Sequence, residues 1–480
     1  MTELLAAISS AVRRVLAWVA TRNFDAAGGG RRWSNARTID NANAAMLGSA
    51  TTIRRRARYY TANNPWAANG INALVSNLVG TGIKPLSAHP DEKIRARINA
   101  DWERWTDAAD ADGLTDFYGM QALAVRTMIE GGEAFCRFEV AGGALRVRLM
   151  DGDQVDPTVT RDLPGGARVV AGVEFDAANR RTAYHVYRRP PGDPLALATP
   201  LDLVRVPAAD VAHLFVPTVP GQVRGISWLS GILLRLHELD QLEDASLVRQ
   251  KVAALFAAFI TDAEGGTAGI TGTQTGAVLE TGLEPGTMKV LPPGTDIKFS
   301  EPAAVGDAVE FIKLQLRGLA AGLGVTYEQL TGDLSGVNYS SIRAGLVEVR
   351  RRIESLQHSV VVFQFCRPTW RRFITLQVLT GALQAPDFER NPETWLSAKW
   401  IGATHDWVDP ASDAKADAIA IAAGLKSRRE VVAGRGYDVE QIDAEIAADQ
   451  ARAARLGLNF GVLPDNVQSP AEKTVDARNP

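Results

Sequence analysis

The residues that come nearest to a chemical site are Asp151, Asp153 and Asp156. Oxygen donors at such short spacing suit a hard cation, and a metal-bound water there would serve a nuclease or another nucleic-acid hydrolase. Pro157 follows at once and strand-like runs lie on either side, which favours a solvated turn between strands. Arg54, Arg55, Arg56 and Arg58 run into Tyr59 and Tyr60. Guanidinium groups beside aromatic rings suit phosphates and bases. The same run also suits a solvated helix face or arginines at a subunit contact. Gly424-Leu425-Lys426-Ser427 ends like a phosphate-binding loop but lacks the upstream glycine and follows a helix. Gly225-Ile226-Ser227-Trp228-Leu229 lacks the closing glycine of a nucleophile elbow. There is no HExxH, the two cysteines (Cys136 and Cys366) are far apart, and the six histidines are scattered. No cofactor or metal is expected, and a structural role is favoured over an enzymatic one.

Composition sets the outer bounds. The chain has 480 residues, 46% of them hydrophobic, enough for a large core and several domains. Its net charge of -3 lacks the basic excess of a sequence-specific DNA binder. It does not exclude sliding contact, because each neutralised phosphate tightens the grip on the polymer and a near-neutral wall lets it pass. Two cysteines argue against a disulfide framework and for synthesis in a reducing cytoplasm. Met1–Asn23 is amphipathic, with Arg13 and Arg14 in its middle, and is unlike a signal peptide. No run reaches the roughly 20 apolar residues of a membrane span, so no membrane association is expected.

The elements that must position these residues follow from period and punctuation. Asn64-Pro65 opens a helix striped by Ala68, Ile71, Leu74, Val75 and Leu78, and Gly80 and Gly82 end it. Further helices are expected over Asp91–Asp107 and Thr115–Glu130. From Gly131 the period falls to two. Ala134–Val140, Leu145–Leu149, Arg168–Phe175, Ala183–Tyr187 and part of Asp202–Val216 read as strands of one antiparallel sheet. Val248, Val252, Leu255, Phe256 and Phe259 have helical spacing. A Gly- and Thr-rich insertion, Asp262–Gly294, follows, with short strands expected at Thr287–Leu291 and Ile297–Phe299. The spacing predicts a second helix over Gly306–Leu323. Gly332–Ser340 is a polar loop ahead of the longest helix, Ser341–Arg367. Along that helix Ile342, Leu346, Val349, Ile353, Leu356, Val360 and Phe363 alternate steps of four and three, read as core packing, until Pro368 kinks or ends it. Asp409-Pro410 begins a C-terminal helix and Gly424 stops it. Ser427 with Glu430 and Asp438 with Gln441 are expected capping boxes, and the last helix should fade by Gly457. The expected class is α+β, mainly helical.

Four segments carry a resemblance. They are RYYTANNPWAANGINALVSNLVGTGIKP (Arg58–Pro85), PGQVRGISWLS (Pro220–Ser230), LGVTYEQLTGDLSGVNYSSIR (Leu323–Arg343) and WVDPASDAKADAIAIAAGLKSRREVVAGRG (Trp407–Gly436). In this order, over about residues 40–455, they resemble the lambda-type portal proteins of tailed phages. The resemblance implies a homo-oligomeric ring, usually of twelve subunits, at the portal vertex of the capsid. Double-stranded DNA would pass along its axis without sequence specificity. The terminase large subunit would dock first, head-completion and tail connector proteins later, and the major capsid and scaffold proteins would surround the ring, all assembled in the bacterial host cytoplasm. It further implies an N-terminal helix and arm (1–37), a wing of helices then sheet (38–225), stem helices (226–261 and 301–324), a β-containing clip (262–300) and a tunnel-loop region (325–340). A long helix with wing return (341–408), a helical crown (409–457) and a tail expected to be disordered (458–480) complete the order. Gly332, Ser335, Gly336, Asn338, Tyr339 and Ser340 would face DNA, with Arg343 near phosphate or paired with an acidic neighbour. Asp333 would repel phosphate if it faced the axis. A non-pore capsid scaffold protein is the remaining alternative.

Overall fold

Asn64 both ends one helix and begins the next. Its backbone is extended, its N–H donates to the Tyr60 carbonyl of α1 (Ala42–Asn63), and its side chain accepts from the Trp66 and Ala67 N–H groups of α2 (Pro65–Leu78). The expected cap with proline in the first turn is present. The computed structural model describes residues 39–192, 203–254, 258–262, 273–275, 278–280, 295–299, 306–336, 339–402 and 410–458. The expected N-terminal helix, arm and C-terminal tail lie outside the described residues, as does the strand expected at Thr287–Leu291. The class is α+β and mainly helical, as the sequence implied.

After α2 come β1 (Lys84–Ser87), which was not expected, and α3 (Glu92–Thr106) and α4 (Phe117–Gly131), both close to the expected bounds. The sheet region departs from the expectation of one sheet. β2 (Glu133–Ala141) lies between β3 (Ala144–Asp151) and β9 (Val211–Phe215). A separate sheet runs β4 (Arg161–Asp162), β5 (Arg168–Val170), β6 (Val173–Phe175), β7 (Arg181–Tyr187), β8 (Leu203–Pro207). The reason is visible along β2. Ala134, Cys136 and Phe138 point into the helical core with α2–α4, while Phe135 points the other way into a second core with Val173, Tyr184 and Val186. A strand buried on both faces needs two partners, and the second sheet is one of them.

α5 (Leu233–Ala254) leads away from this body. The helical run expected to Phe259 is not kept to its end: α5 is described to Ala254, and Phe259 lies in β10 (Ala258–Asp262), which pairs antiparallel with β13 (Thr295–Phe299). Phe259, Ile260 and Thr261 are strand formers, and that preference prevails here. β11 (Thr273–Thr275) and β12 (Val278–Glu280) form a small hairpin. α6 (Gly306–Leu323) has the expected bounds and is followed by a short α7 (Tyr327–Thr331).

The longest helix is longer than expected and changes pitch. It begins with α8 (Tyr339–Leu356), widens into a π-helical segment (Gln357–Cys366) and continues as α9 (Arg367–Leu379), about 60 Å at 1.5 Å per residue. The buried face steps by five from Val360 to Phe365 and from Val361 to Cys366. The heptad seam therefore breaks at its last position: Ile353 and Val360 are buried, but Phe363 is 59% exposed. Pro368 neither ends nor interrupts the rod. It falls in the first turn of α9, directly after wide turns in which Arg367 donates five residues back to Val362, so its ring meets no tight α turn.

α10 (Pro392–Leu396) and β14 (Ala398–Ile401) bring the chain back, and β14 pairs with β1. The C-terminal helices are α11 (Pro410–Ala422), α12 (Arg428–Ala433) and α13 (Val439–Leu456). Ser427 and Asp438 cap α12 and α13 by accepting backbone N–H bonds. Asp438 bonds Glu440, and Gln441 reaches Glu445 instead of completing a box. Gly457, at φ 66°, ends α13.

Candidate functional site

The polar loop is anchored at its N-terminal end. Asn69 of α2 donates to the Gln329 and Leu330 carbonyls, and Leu330 is buried. Thr326 and Gln329 cap α7 reciprocally, and Gly332 closes it in the left-handed conformation that favours glycine. Asp333 then folds the loop on itself. Its backbone N–H donates to Thr331 Oγ1, and its carboxylate accepts from the Ser335 hydroxyl at 2.6 Å, the Ser335 N–H at 3.0 Å and the Tyr327 hydroxyl at 3.3 Å. The bonds from Ser335 hold the Asp333 carboxyl below the usual range. The charge read from sequence as a repulsive element is thus occupied in shaping its own turn.

The loop is shorter than the sequence implied, because Tyr339 and Ser340 already belong to α8. Asn338 lies outside the described residues. Ser335 and Gly336 are exposed, as is Leu334. Arg343 reaches Asp413 of α11 at 3.4 Å, the acidic neighbour that was one of its two expected partners.

The arginine run divides. Arg55 and Arg56 are exposed beside Tyr59, Leu234 and His237. Arg54 is buried and points inward, and Arg58 is half-buried, so the structure corrects the idea of four arginines on one outer face. Arg54 donates to Glu133 at 2.6 Å, to Asp153 at 2.6 Å and to the Gly131 carbonyl at 2.9 Å. Arg58 pairs with Asp153 at 2.7 Å and with Asp151. Asp156 accepts from Tyr187 and Thr158 and is buried. Asp151 and Asp153 are therefore the acidic side of a partly buried ionic network with Arg54 and Arg58 in place of the solvated turn read from sequence, and Asp156 is held apart from it by hydroxyl groups. Among the described residues no group of three or more His, Cys, Asp or Glu could hold a metal ion.

Glu133 is the centre of that network. It has no exposed surface. It accepts from Arg54, from Arg224 Nη2 at 2.6 Å and Nε at 2.9 Å, from His213 at 3.1 Å and from the Gly225 N–H at 3.0 Å. Burial alone would raise its pKa, but the Arg224 charge and the bonds from His213 and Arg224 outweigh this and hold the carboxyl well below its usual range. Burial pushes His213 down to about 4, so it is a neutral imidazole at neutral pH. Arg224 also donates to the Gly152, Val155 and Ala171 carbonyls. One guanidinium thus joins both sheets to the segment that leads into α5. Along α5, Tyr60 meets His237, Asn64 meets Asp240 and Trp66 meets Glu243, so its start is fixed to α1 and α2. Nothing in the local sequence marks Glu133 as a partner of residues so distant in the chain. Arg224 and Gly225 do lie in one of the four segments that carry the family resemblance.

The model of the family described as phage portal protein, lambda family, matches residues 29–357. That span takes in α1, the ionic network, the loop and α8. A probable portal protein of Halomonas phage phiHAP-1 is 27% identical over 451 residues, covering 89% of this chain and 85% of its own. Portal protein B of Escherichia phage lambda is 24% identical over 475 residues, covering 87% of each. Among solved structures, the neck of a native gene transfer agent particle aligns with TM-score 0.45 and 13% identity, over 80% of this chain and 93% of that one. With the family model covering most of the sequence and two phage portal proteins matching nearly end to end, this chain belongs to the lambda family of phage portal proteins.

Proposed function

We propose that copies of this chain form a ring at one capsid vertex of a tailed phage, through which the genome is packaged and later ejected. The observation that carries this reading is the family match, which runs unbroken through the loop and into the helix behind it. The loop around Gly332, Ser335, Gly336, Asn338, Tyr339 and Ser340 faces the DNA in this reading. A hydroxyl- and glycine-bearing turn, with its one carboxylate engaged internally, meets the backbone without the strong ion pairing that would arrest sliding. Arg55 and Arg56 are further candidate contacts, whereas Arg54 and Arg58 serve the interior. The β10–β13 region is the clip that the terminase large subunit and then connector proteins engage. Capsid and scaffold proteins hold the ring in the shell, and assembly takes place in the host cytoplasm. The chain supplies a conduit and no catalysis of its own. The nuclease alternative loses its basis, since Asp151 and Asp153 are bound by Arg58 and Arg54.

The test is negative-stain microscopy with mass photometry of the purified chain. Rings of about a dozen subunits, with a hole wide enough for a duplex, are expected. A compact monomer or dimer at every concentration and salt, with capsid and scaffold proteins also present, would contradict the proposal. Deleting residues 333–338 should leave rings intact but abolish DNA packaging or retention.

A further inference from the structure

Three helices converge on α7, the short helix from which the loop hangs. Leu323 and Leu330 pack directly on Gly70 of α2, where an added methyl group would stand within 3.0 Å of both. Arg352 of α8 covers Gly324, the left-handed joint between α6 and α7, and leaves no room there for a side chain. On the α6 side, the Arg317 guanidinium lies over the Tyr327 ring, 5.6 Å from its centroid, where a cation meets the negative face of the ring. The residues beyond Thr331 have no comparable hold. Thr331 and Ser335 shape the Asp333 turn from within. Among the described residues, one hydrogen bond ties residues 333–336 to anything before Thr331, and it runs from the Tyr327 hydroxyl to the Asp333 carboxylate.

We infer that Tyr327 is the positioning residue of the loop: Arg317 fixes its ring to α6, its hydroxyl holds Asp333, and it thereby sets where Leu334, Ser335 and Gly336 stand against DNA. This rests on the reading above that the loop faces the DNA. The side chain suits the task. A phenol is rigid across its ring and carries its donor at the far end, so it spans from Arg317 to Asp333 with little rotamer freedom to lose. The acceptor is kept ionised first by the Ser335 bonds and then by the Tyr327 hydroxyl and the charge of Lys313. Lys313 lies one turn before Arg317, so α6 both clamps the ring and draws the carboxylate toward it. The loop therefore takes its position from α6 through one side chain, while α2 and α8 keep the mount itself still.

The test places a nitroxide spin label on the loop of the assembled full chain. Gly336→Cys accepts it, since nothing lies within 4 Å of a Cβ added there, and Cys136 and Cys366 are buried, so the new thiol reports alone. Tyr327→Phe deletes the hydroxyl and keeps the ring. It should raise the ratio of mobile to immobile label by about tenfold, the effect of one ordinary hydrogen bond. Arg317→Gln should shift the ratio in the same direction, although Arg317 makes no hydrogen bond to the loop. Amides of α2 should keep their protection in both variants, and heads assembled with either should lose packaged DNA faster than wild type. A label as immobile in both variants as in the parent, or already mobile in the parent, overturns the role of Tyr327 and leaves the loop's contact with DNA standing. A loosened label with wild-type DNA retention overturns the reading that the loop meets DNA, and this role with it.

Discussion

Gly225 passes so close to Gly132 that a methyl group added to Gly225 would lie 2.0 Å from the Gly132 carbonyl oxygen. Gly132 is itself left-handed at φ 94°, and a side chain on it would strike the Ile226 backbone at 2.4 Å. Neither obstacle is a side-chain tip that could swing away. Gly225→Ala and Gly132→Ala should each cost more than about 2 kcal/mol, as strained backbone and overpacking do. Denaturant unfolding of the purified variants checks this.

Arg224→Met should destabilise the fold by about 3–5 kcal/mol, because it leaves Glu133 as a buried charge with too few partners. Glu133→Gln in the same background should recover part of that loss, since it removes the stranded charge. A double-mutant cycle on thermal unfolding measures the coupling, and simple additivity would count against the network as described.

Acid should loosen the fold in a defined window. His213 titrates near 4 in the folded chain against about 6.5 when unfolded, so from pH 6.5 downward the unfolded chain binds the extra proton. Stability is then full above about 6.5 and falls by up to about 3 kcal/mol as the pH approaches 4. Glu133, depressed well below its usual value, adds a second loss that begins below about 4.5. Melting curves between pH 7 and 4 should show the first slope, and His213→Phe should flatten it.

Phe363 and Phe365 should behave oppositely to the heptad pattern. Phe363→Ser should change stability by less than about 0.5 kcal/mol, whereas Phe365→Ala should cost about 3–5 kcal/mol. A large penalty at Phe363 would mean that the rod keeps an unbroken α pitch.

Asp333→Ala should lower global stability only slightly, because the bonds it loses all lie within one surface turn. Its signature should be local: faster proteolytic cleavage at Leu334–Ser335 with unchanged protection of α6 and α8.

Much of the frame was legible in the sequence because it depends on neighbours along the chain. Asn64-Pro65, the bounds of α6, and the cap residues Ser427 and Asp438 each report a local backbone requirement. What could not be read depends on distance. The second sheet follows from Phe135 having a buried face of its own, which alternation cannot reveal when both faces are apolar. The break at Phe363 needed the positions of Trp370 and Phe373, which fix where the far half of the rod must turn. Asp151 and Asp153 looked solvent-facing because their partners Arg54 and Arg58 lie nearly a hundred residues upstream.

The charge cluster at Glu133 also orders events during synthesis. Its first arginine lies 79 residues upstream and its second 91 downstream. A growing polypeptide that has not yet emerged from the ribosome past Arg224 therefore has a carboxylate at its centre lacking its main counter-charge. Only about ten residues later α5 begins, so the base closes as the first projecting helix is being made, and a translation pause just before Arg224 would leave the nascent chain open and exposed to chaperones and proteases.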